Sequence, residues 1–246
     1  MTSSGRSSKA ASTPRYWAVV PAAGGGSRMG MSRPKQYLPL RGRTLIEWSL
    51  APFLDCGWID GIVLVLARSD TEFARLPIAR HPKLILTQGG AARAESVRAG
   101  LDVVAAAAQG FADVNVLVHD AARPCLNWAD LERLRDEAGD EHGGLLAVPV
   151  IDTLKRAKQG VRVEATVDRS LYWRAQTPQL FRLDLLIAAL RDASARGIDI
   201  TDEASAMEFA GYHPRLVRGR ESNLKVTYAE DLALADFWLQ QQAGSL

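Results

Sequence analysis

Cysteine is scarce: the 246 residues hold two, Cys56 and Cys125, and their separation matches neither a zinc spacing nor a disulfide framework. A reducing, cytoplasmic setting is therefore the expectation. No apolar run approaches the roughly 20 residues a membrane span requires. An excess of one charge is also missing. Thirty basic residues stand against 28 acidic ones, a net charge of +2, which argues against a dedicated nucleic-acid surface. The first fourteen residues lack an apolar core segment. They carry Ser3, Ser4, Ser7, Ser8 and Ser12 with Arg6 and Lys9, which reads as a disordered tail and not as a signal peptide. The chain as a whole has the 47% hydrophobic and 24% charged content of a globular protein, and 15 to 246 reads as one domain.

That domain is organised around Trp17 to Lys35, W-A-V-V-P-A-A-G-G-G-S-R-M-G-M-S-R-P-K. A β-prone run ends at Pro21 and delivers a loop of small residues. Glycines let backbone N–H groups approach a ligand and point together, and Arg28 and Lys35 add full positive charge. The combination suits a polyphosphate. Two familiar templates fail on it. The P-loop G-x-x-x-x-G-K-[ST] fits Gly25, Gly30 and Ser32 but meets Met31 at the lysine. The dinucleotide fingerprint fits Gly24 and Gly26 but meets Met29 at the third glycine, which disfavours a dehydrogenase. A purely structural tight turn stays open at this point.

Strands and helices then alternate. Helix is expected over Thr44–Leu54, near Asp70–Arg75, over Arg93–Ala108 and over Leu131–Ala138. Strands are expected over Gly61–Ala67, Lys83–Thr87, Asn115–His119 and Leu145–Val150. Continuous β-branched runs suit strands covered on both faces, and the alternation predicts a doubly wound α/β sheet. It breaks between Ile151 and Gln179. There Arg162–Val167 and Leu171–Arg174 flank a turn signal at Lys158-Gln159-Gly160, which predicts an antiparallel arm, placed at about 151–172. Helix resumes over Arg182–Arg196. Thr201 is expected to cap a further helix with Asp202 and Glu203 in its first turn. A strand follows at Arg215–Val217, then a last helix opened by a Thr227/Glu230 capping box.

In open α/β sheets ligands bind outside the carboxyl ends of the strands. The first strand ends at Gly24 to Lys35, the third at Gly89, Gly90, Arg93 and Ser96, and the fourth at Asp120 and Arg123. A carboxylate among cations meant for phosphates would hold Mg²⁺ bridging phosphate oxygens. The plainer alternative is that Asp120 pairs with Arg123 or caps the next helix. His119 reads as structural, ending an apolar strand.

The motifs V-V-P-A-A-G-x-G-x-R-M, P-K-Q-Y, G-G-x-x-R-x-x-S-V, V-H-D-A-A-R-P, D-T-x-K-R, T-V-D-R, Q-T-P-Q, T-D-E-A-S-A, N-x-K-V-T and E-D-L-A-L-A occur in that order over about 17 to 237. The series resembles the 2-C-methyl-D-erythritol 4-phosphate cytidylyltransferase family of the non-mevalonate isoprenoid pathway. The resemblance implies a Rossmann-like, mostly parallel sheet of the nucleotide-diphospho-sugar transferase type. It implies a homodimer in which a β-arm reaches the partner's site, a divalent cation such as Mg²⁺, and transfer of a cytidylyl group from CTP to methylerythritol phosphate. Arg28 and Lys35 match the family's catalytic cations. Ala22, Ala23, Gly24, Gly26, Gly90, Ser96, Asp120 and Arg123 match nucleotide-binding positions, with Asp120 the metal-associated carboxylate. Thr153, Arg169, Thr177 and Lys225 match the acceptor site. Ala91 and Ala92 depart from it, standing where acidic residues follow the double glycine. The rival readings are a cytidylyltransferase for another polyol phosphate, such as ribitol 5-phosphate, and a non-catalytic nucleotide-binding module. No membrane or nucleic-acid partner is expected.

Overall fold

A computed structural model of the chain describes residues 13–24, 33–158 and 161–244. The tail through Ser12, Gly26 and Arg28 of the glycine-rich loop, and the Gln159-Gly160 turn lie outside the described residues. The central sheet is built from β1 (Arg15–Ala22), β2 (Ile59–Leu66), β3 (Leu84–Gln88), β4 (Val114–Val118), β5 (Gly144–Pro149), β8 (Trp173–Arg182) and β9 (Arg215–Arg218). Between β5 and β8, β6 (Leu154–Lys158) and β7 (Arg162–Val167) form a separate antiparallel hairpin. The helices are α1 (Leu45–Leu54), α2 (Arg93–Ala107), α3 (Trp128–Glu137), α4 (Leu183–Ala195), α5 (Glu203–Phe209) and α6 (Glu230–Ala243).

The sheet order is β9-β5-β8-β4-β1-β2-β3. All pairings are parallel except those of β8, which runs antiparallel to both β4 and β5. Side chains alternate across a strand, and the core records it. Ala18 and Val20 point to one face and pack with Ile46, Leu50 and Phe53 of α1 and Leu131 and Leu134 of α3. Val19 points to the other, with Val97, Leu101 and Val104 of α2 and Leu186 and Leu190 of α4. Two covered faces are what the unbroken apolar runs of β1 and β2 require. A third cluster seats α6 through Ala235 and Leu239 on Leu40, Leu45, Ala122 and Val226.

Four expectations are corrected. The segment expected to leave the sheet up to Gln179 includes β8, a strand at its centre. Its W-R-A-Q-T-P-Q-L-F-R sequence is too polar to read as a core strand. Its register breaks between Ala175 and Gln179, and there Gln176, Thr177 and Gln179 are buried with their polar groups bonded to partners on other elements. Asp202, not Thr201, caps α5, accepting from Ser205 N–H at 2.9 Å. The entry to α6 is held by Asp231, which accepts from the N–H groups of Thr227 and Tyr228 at 2.7 and 2.8 Å, in place of a Thr227/Glu230 box. The helix expected near Asp70 is one 3₁₀ turn, Phe73–Arg75.

The hairpin expected as an arm is present. Its strands pair only with each other, and Val161, Val163, Ile151 and Leu171 are exposed on or beside it. Among the described residues no helix is long and apolar enough to cross a membrane.

Candidate active site

The exits of β1, β3 and β4 converge on one cleft, as strand-end logic requires. Ala22, Ala23 and Gly24 come from β1, Gly90, Ala91, Ala92, Arg93 and Ser96 from the β3–α2 connection, and Asp120, Ala121 and Ala122 from the end of β4. Lys35 lines the cleft from the 3₁₀ turn Lys35–Tyr37, and Lys225 arrives from the segment after β9. Short hydrogen bonds fix these walls. Gln36 Nε2 donates to Ala22 O at 2.9 Å, Lys35 Nζ to Val226 O at 2.9 Å, and Val226 N–H to Ala122 O at 2.8 Å. Gly89 has no room for a side chain. A Cβ there would lie 2.5 Å from Ser96 Oγ and 2.7 Å from Ala23 Cβ, so two walls touch across it.

Asp120 is the electrostatic centre of the cleft. Its carboxylate lies 3.0 Å from Lys225 Nζ, 3.4 Å from Arg123 Nε and 3.6 Å from Arg93 Nε. Burial works against its charge, but Lys225, Arg93 and Arg123 outweigh it and hold the carboxyl well below the usual carboxylate range. The three cations thus favour the ionised form of Asp120. Arg123 sits behind it, buried, with Nη1 donating to Asn223 O at 2.7 Å. Arg93 is held from the far side by Glu203, whose two oxygens take Nη1 at 2.8 Å and Nη2 at 3.0 Å.

His119 is fully buried under this group. Its Nε2 lies 3.3 Å from the carbonyl of Arg123 and its Nδ1 lies 3.0 Å from Thr177 Oγ1. A carbonyl can only accept, so Nε2 carries the proton. Burial lowers the His119 pKa to about 4, so the ring is neutral and its bare Nδ1 accepts from the Thr177 hydroxyl. The same hydroxyl accepts from Asp120 N–H at 3.0 Å. Thr177 and His119 thus set the backbone under Asp120, in agreement with the structural reading of the histidine.

The candidates from the sequence divide into three groups. Lys35, Ala22, Ala23, Gly24, Gly90, Ser96, Asp120 and Lys225 meet in the cleft. Arg123 and Thr177 lie beneath it, supporting Asp120. Thr153 precedes β6, and Arg169 lies in a 3₁₀ turn after β7 and donates to Ile151 O. Both belong to the arm, away from this chain's cleft lining. Ala91 and Ala92 donate their N–H groups to Glu95 Oε2 at 2.8 and 3.3 Å, so Glu95 caps the start of α2. The pairing of Asp120 with Arg123, expected as the plainer alternative, exists alongside its place in the cleft. Sequence reading missed the site roles of Glu203, Gln36 and Asn223. Asn223 Nδ2 donates to Thr177 O at 2.8 Å, tying the Lys225 segment to β8. The T-D-E-A-S-A, P-K-Q-Y and N-x-K-V-T motifs contain all three, yet only packing shows whom they touch.

Among the described residues no three or more His, Cys, Asp or Glu side chains gather as a metal cage. A lone ionised carboxylate is a donor set that would suit only a cation held mostly by substrate phosphates and water.

A family model described as 2-C-methyl-D-erythritol 4-phosphate cytidylyltransferase matches residues 16–241. A relative of that name from Mannheimia succiniciproducens is 51% identical over 225 residues, covering 92% of this chain and 96% of the relative. Another from Pseudomonas aeruginosa is 54% identical over 221 residues, covering 89% and 94%. A crystal structure of 4-diphosphocytidyl-2C-methyl-D-erythritol synthase is similar with a TM-score of 0.79 at 40% identity, covering 92% of this chain and 99% of the other. The crystal structure of the cytidylyltransferase from Thermus thermophilus is similar at 0.75 and 30%, with the same coverage.

Proposed function

The chain belongs to the 2-C-methyl-D-erythritol 4-phosphate cytidylyltransferase family, and from that membership we propose how its residues divide the reaction. The enzyme transfers the cytidylyl group of CTP to 2-C-methyl-D-erythritol 4-phosphate in isoprenoid precursor biosynthesis. The ribitol phosphate alternative is not favoured. A phosphate oxygen of the acceptor bonds to the α-phosphorus of CTP, the α–β bridging bond breaks, and the electron pair leaves with pyrophosphate. A phosphate monoester is already anionic near neutral pH, so no side chain need act as base. The protein's tasks are alignment and charge neutralisation.

The observation that carries the assignment is the convergence of Lys35, Asp120 and Lys225 with the small-residue walls of one cleft. Arg28 and Lys35 neutralise the triphosphate and the charge developing at the α-phosphoryl group. Ala22, Ala23, Gly90 and Ser96 leave room for a pyrimidine, with Gly24 and Gly26 bringing backbone close to the nucleotide. Asp120, backed by Arg123, would hold a divalent cation, Mg²⁺ in this reading, which would supply neutralisation of the triphosphate charge. Lys225 and the arm residues Thr153 and Arg169 serve the acceptor, and Thr177, buried beneath the cleft, acts through the backbone of Asp120.

The arm argues for a homodimer. An isolated two-stranded hairpin is marginal in water, and this one exposes Val161, Val163 and Leu171. A second copy covering it would bring Thr153 and Arg169 to the partner's cleft. The roles are tested by pyrophosphate release. Lys35→Ala should lose about 10²–10³ in rate, and chelation of divalent cations should abolish turnover. A Lys35→Ala enzyme with unchanged kcat/KM would remove the cleft from the chemistry.

A further inference from the structure

Glu203 has no part in the reaction as divided above, beyond its pairing with Arg93. It is 2% exposed, stands at the start of α5, and gives both carboxylate oxygens to the guanidinium of Arg93. Arg93, about a third exposed at its side chain, is the residue that crosses from this buried pair into the cleft. Its Nε edge faces Asp120 Oδ1 at 3.6 Å. A bidentate fork fixes the plane of a guanidinium as a single contact cannot.

A buried ion pair is a poor way to attach a helix. Apolar replacements of similar volume often match or exceed its stability. Nor does α5 need the pair for attachment. Asp202 caps it, Gln179 Oε1 accepts from Ala204 N–H at 2.8 Å, and Gln179 Nε2 donates to Asp202 Oδ2 at 2.9 Å. The charge on Glu203 acts on Arg93 and, through it, on the cleft. Five charges meet there, Arg93, Arg123 and Lys225 against Asp120 and Glu203. Without Glu203 the excess of cations around Asp120 would rise from one to three minus one, that is two. Arg93 would then be free to turn its fork fully onto Asp120.

We propose that Glu203 is a positioning residue for the nucleotide and its divalent cation: by clamping Arg93 in a bidentate pair it limits that guanidinium to a single edge-on approach to Asp120 Oδ1 and presents Arg93 to the triphosphate. The proposal rests on the placement of CTP in this cleft. It is tested by calorimetric titration of the full-length protein with CTP in Mg²⁺, without acceptor, alongside thermal unfolding of each variant. Glu203→Gln keeps the shape and removes the charge, and should weaken CTP binding about tenfold, the scale seen when a group that orients a ligand-binding side chain is removed. The pair Arg93→Met/Glu203→Leu should unfold within a few degrees of the wild type, by the apolar-replacement argument, and lose at least as much affinity as Glu203→Gln. Wild-type affinity in a stable double variant would reduce the pair to a structural staple and overturn the proposal. So would wild-type affinity in Glu203→Gln. If Lys35→Ala also bound CTP normally, the fault would lie with the placement of the nucleotide and not with Glu203 alone.

Discussion

Replacing Gly89 by alanine perturbs the cleft without touching a charged group. The added Cβ would lie 2.7 Å from Ala23 Cβ and 2.5 Å from Ser96 Oγ, whereas two carbons rest comfortably at about 3.5–4.0 Å. Ser96 can rotate its hydroxyl away, losing its bond to Ala92 O, 3.2 Å long. Ala23 cannot, because its Cβ moves only with backbone. The β1 and β3 exits must therefore separate by about 1 Å to restore ordinary contact. Overpacking of this kind costs about 1–3 kcal/mol. At about 2–4 °C per kcal/mol for a chain of this size, Tm should fall by about 2–12 °C. Catalysis should suffer more, since a 1 Å displacement of aligned groups costs about 10²-fold. The measurements are Tm and kcat/KM for CTP, with Gly57→Ala as control, because a Cβ there meets nothing within 4 Å. Gly89→Ala with wild-type Tm and wild-type kcat/KM would refute the claim that these two walls define the nucleotide site.

Further outcomes follow from the same geometry. His119 has its pKa lowered from 6.5 to about 4, so above pH 6.5 folded and unfolded chains are alike at this group. As pH falls through 6.5 the unfolded chain takes up a proton that the folded chain refuses, and stability drops until about pH 4. The gap corresponds to ~3 kcal/mol. Urea unfolding at pH 7, 6, 5 and 4 should therefore show His119→Gln losing ~3 kcal/mol less than the wild type over that interval, and parallel slopes would sink the idea. Thr177→Val should leave Asp120 N–H and His119 Nδ1 unpaired, lowering stability by about 1–3 kcal/mol and kcat with it; an unchanged urea midpoint would count against Thr177 as the support of Asp120. Mixing inactive Arg28→Ala and Arg169→Ala subunits should restore activity through hybrid sites. Hybrids that form without rescue would contradict an arm that serves its partner.

The features legible in the sequence were those carried by local pattern. β1 and β2 announce themselves because a strand covered on both faces must be apolar at every position. The strand exits were legible too, since parallel topology forces Gly24, Ser96 and Asp120 to one end of the sheet. Lys35 and Lys225 reached the cleft as the motif resemblance implied, and the hairpin followed from its turn signal. The helix starts at Asp202 and Asp231 were blurred because adjacent Thr, Asp and Glu residues can each cap, and only the final backbone angle chooses among them.

Tertiary structure decided the rest because it concerned polar residues far apart in the chain. β8 could not be read as a central strand, since Gln176, Thr177 and Gln179 satisfy periodicity only after their partners on other elements exist. Arg93 and Glu203 are 110 positions apart, and nothing in either motif says that they meet. Sequence alone thus determined the parallel strands, the end of the sheet where their exits meet, and the residue types waiting there. Folding decided which charges neutralise one another, that Asp120 is held ionised by three cations, and that His119 is a neutral prop. Charge–charge energies depend on distance and burial, and both exist only once the chain has closed.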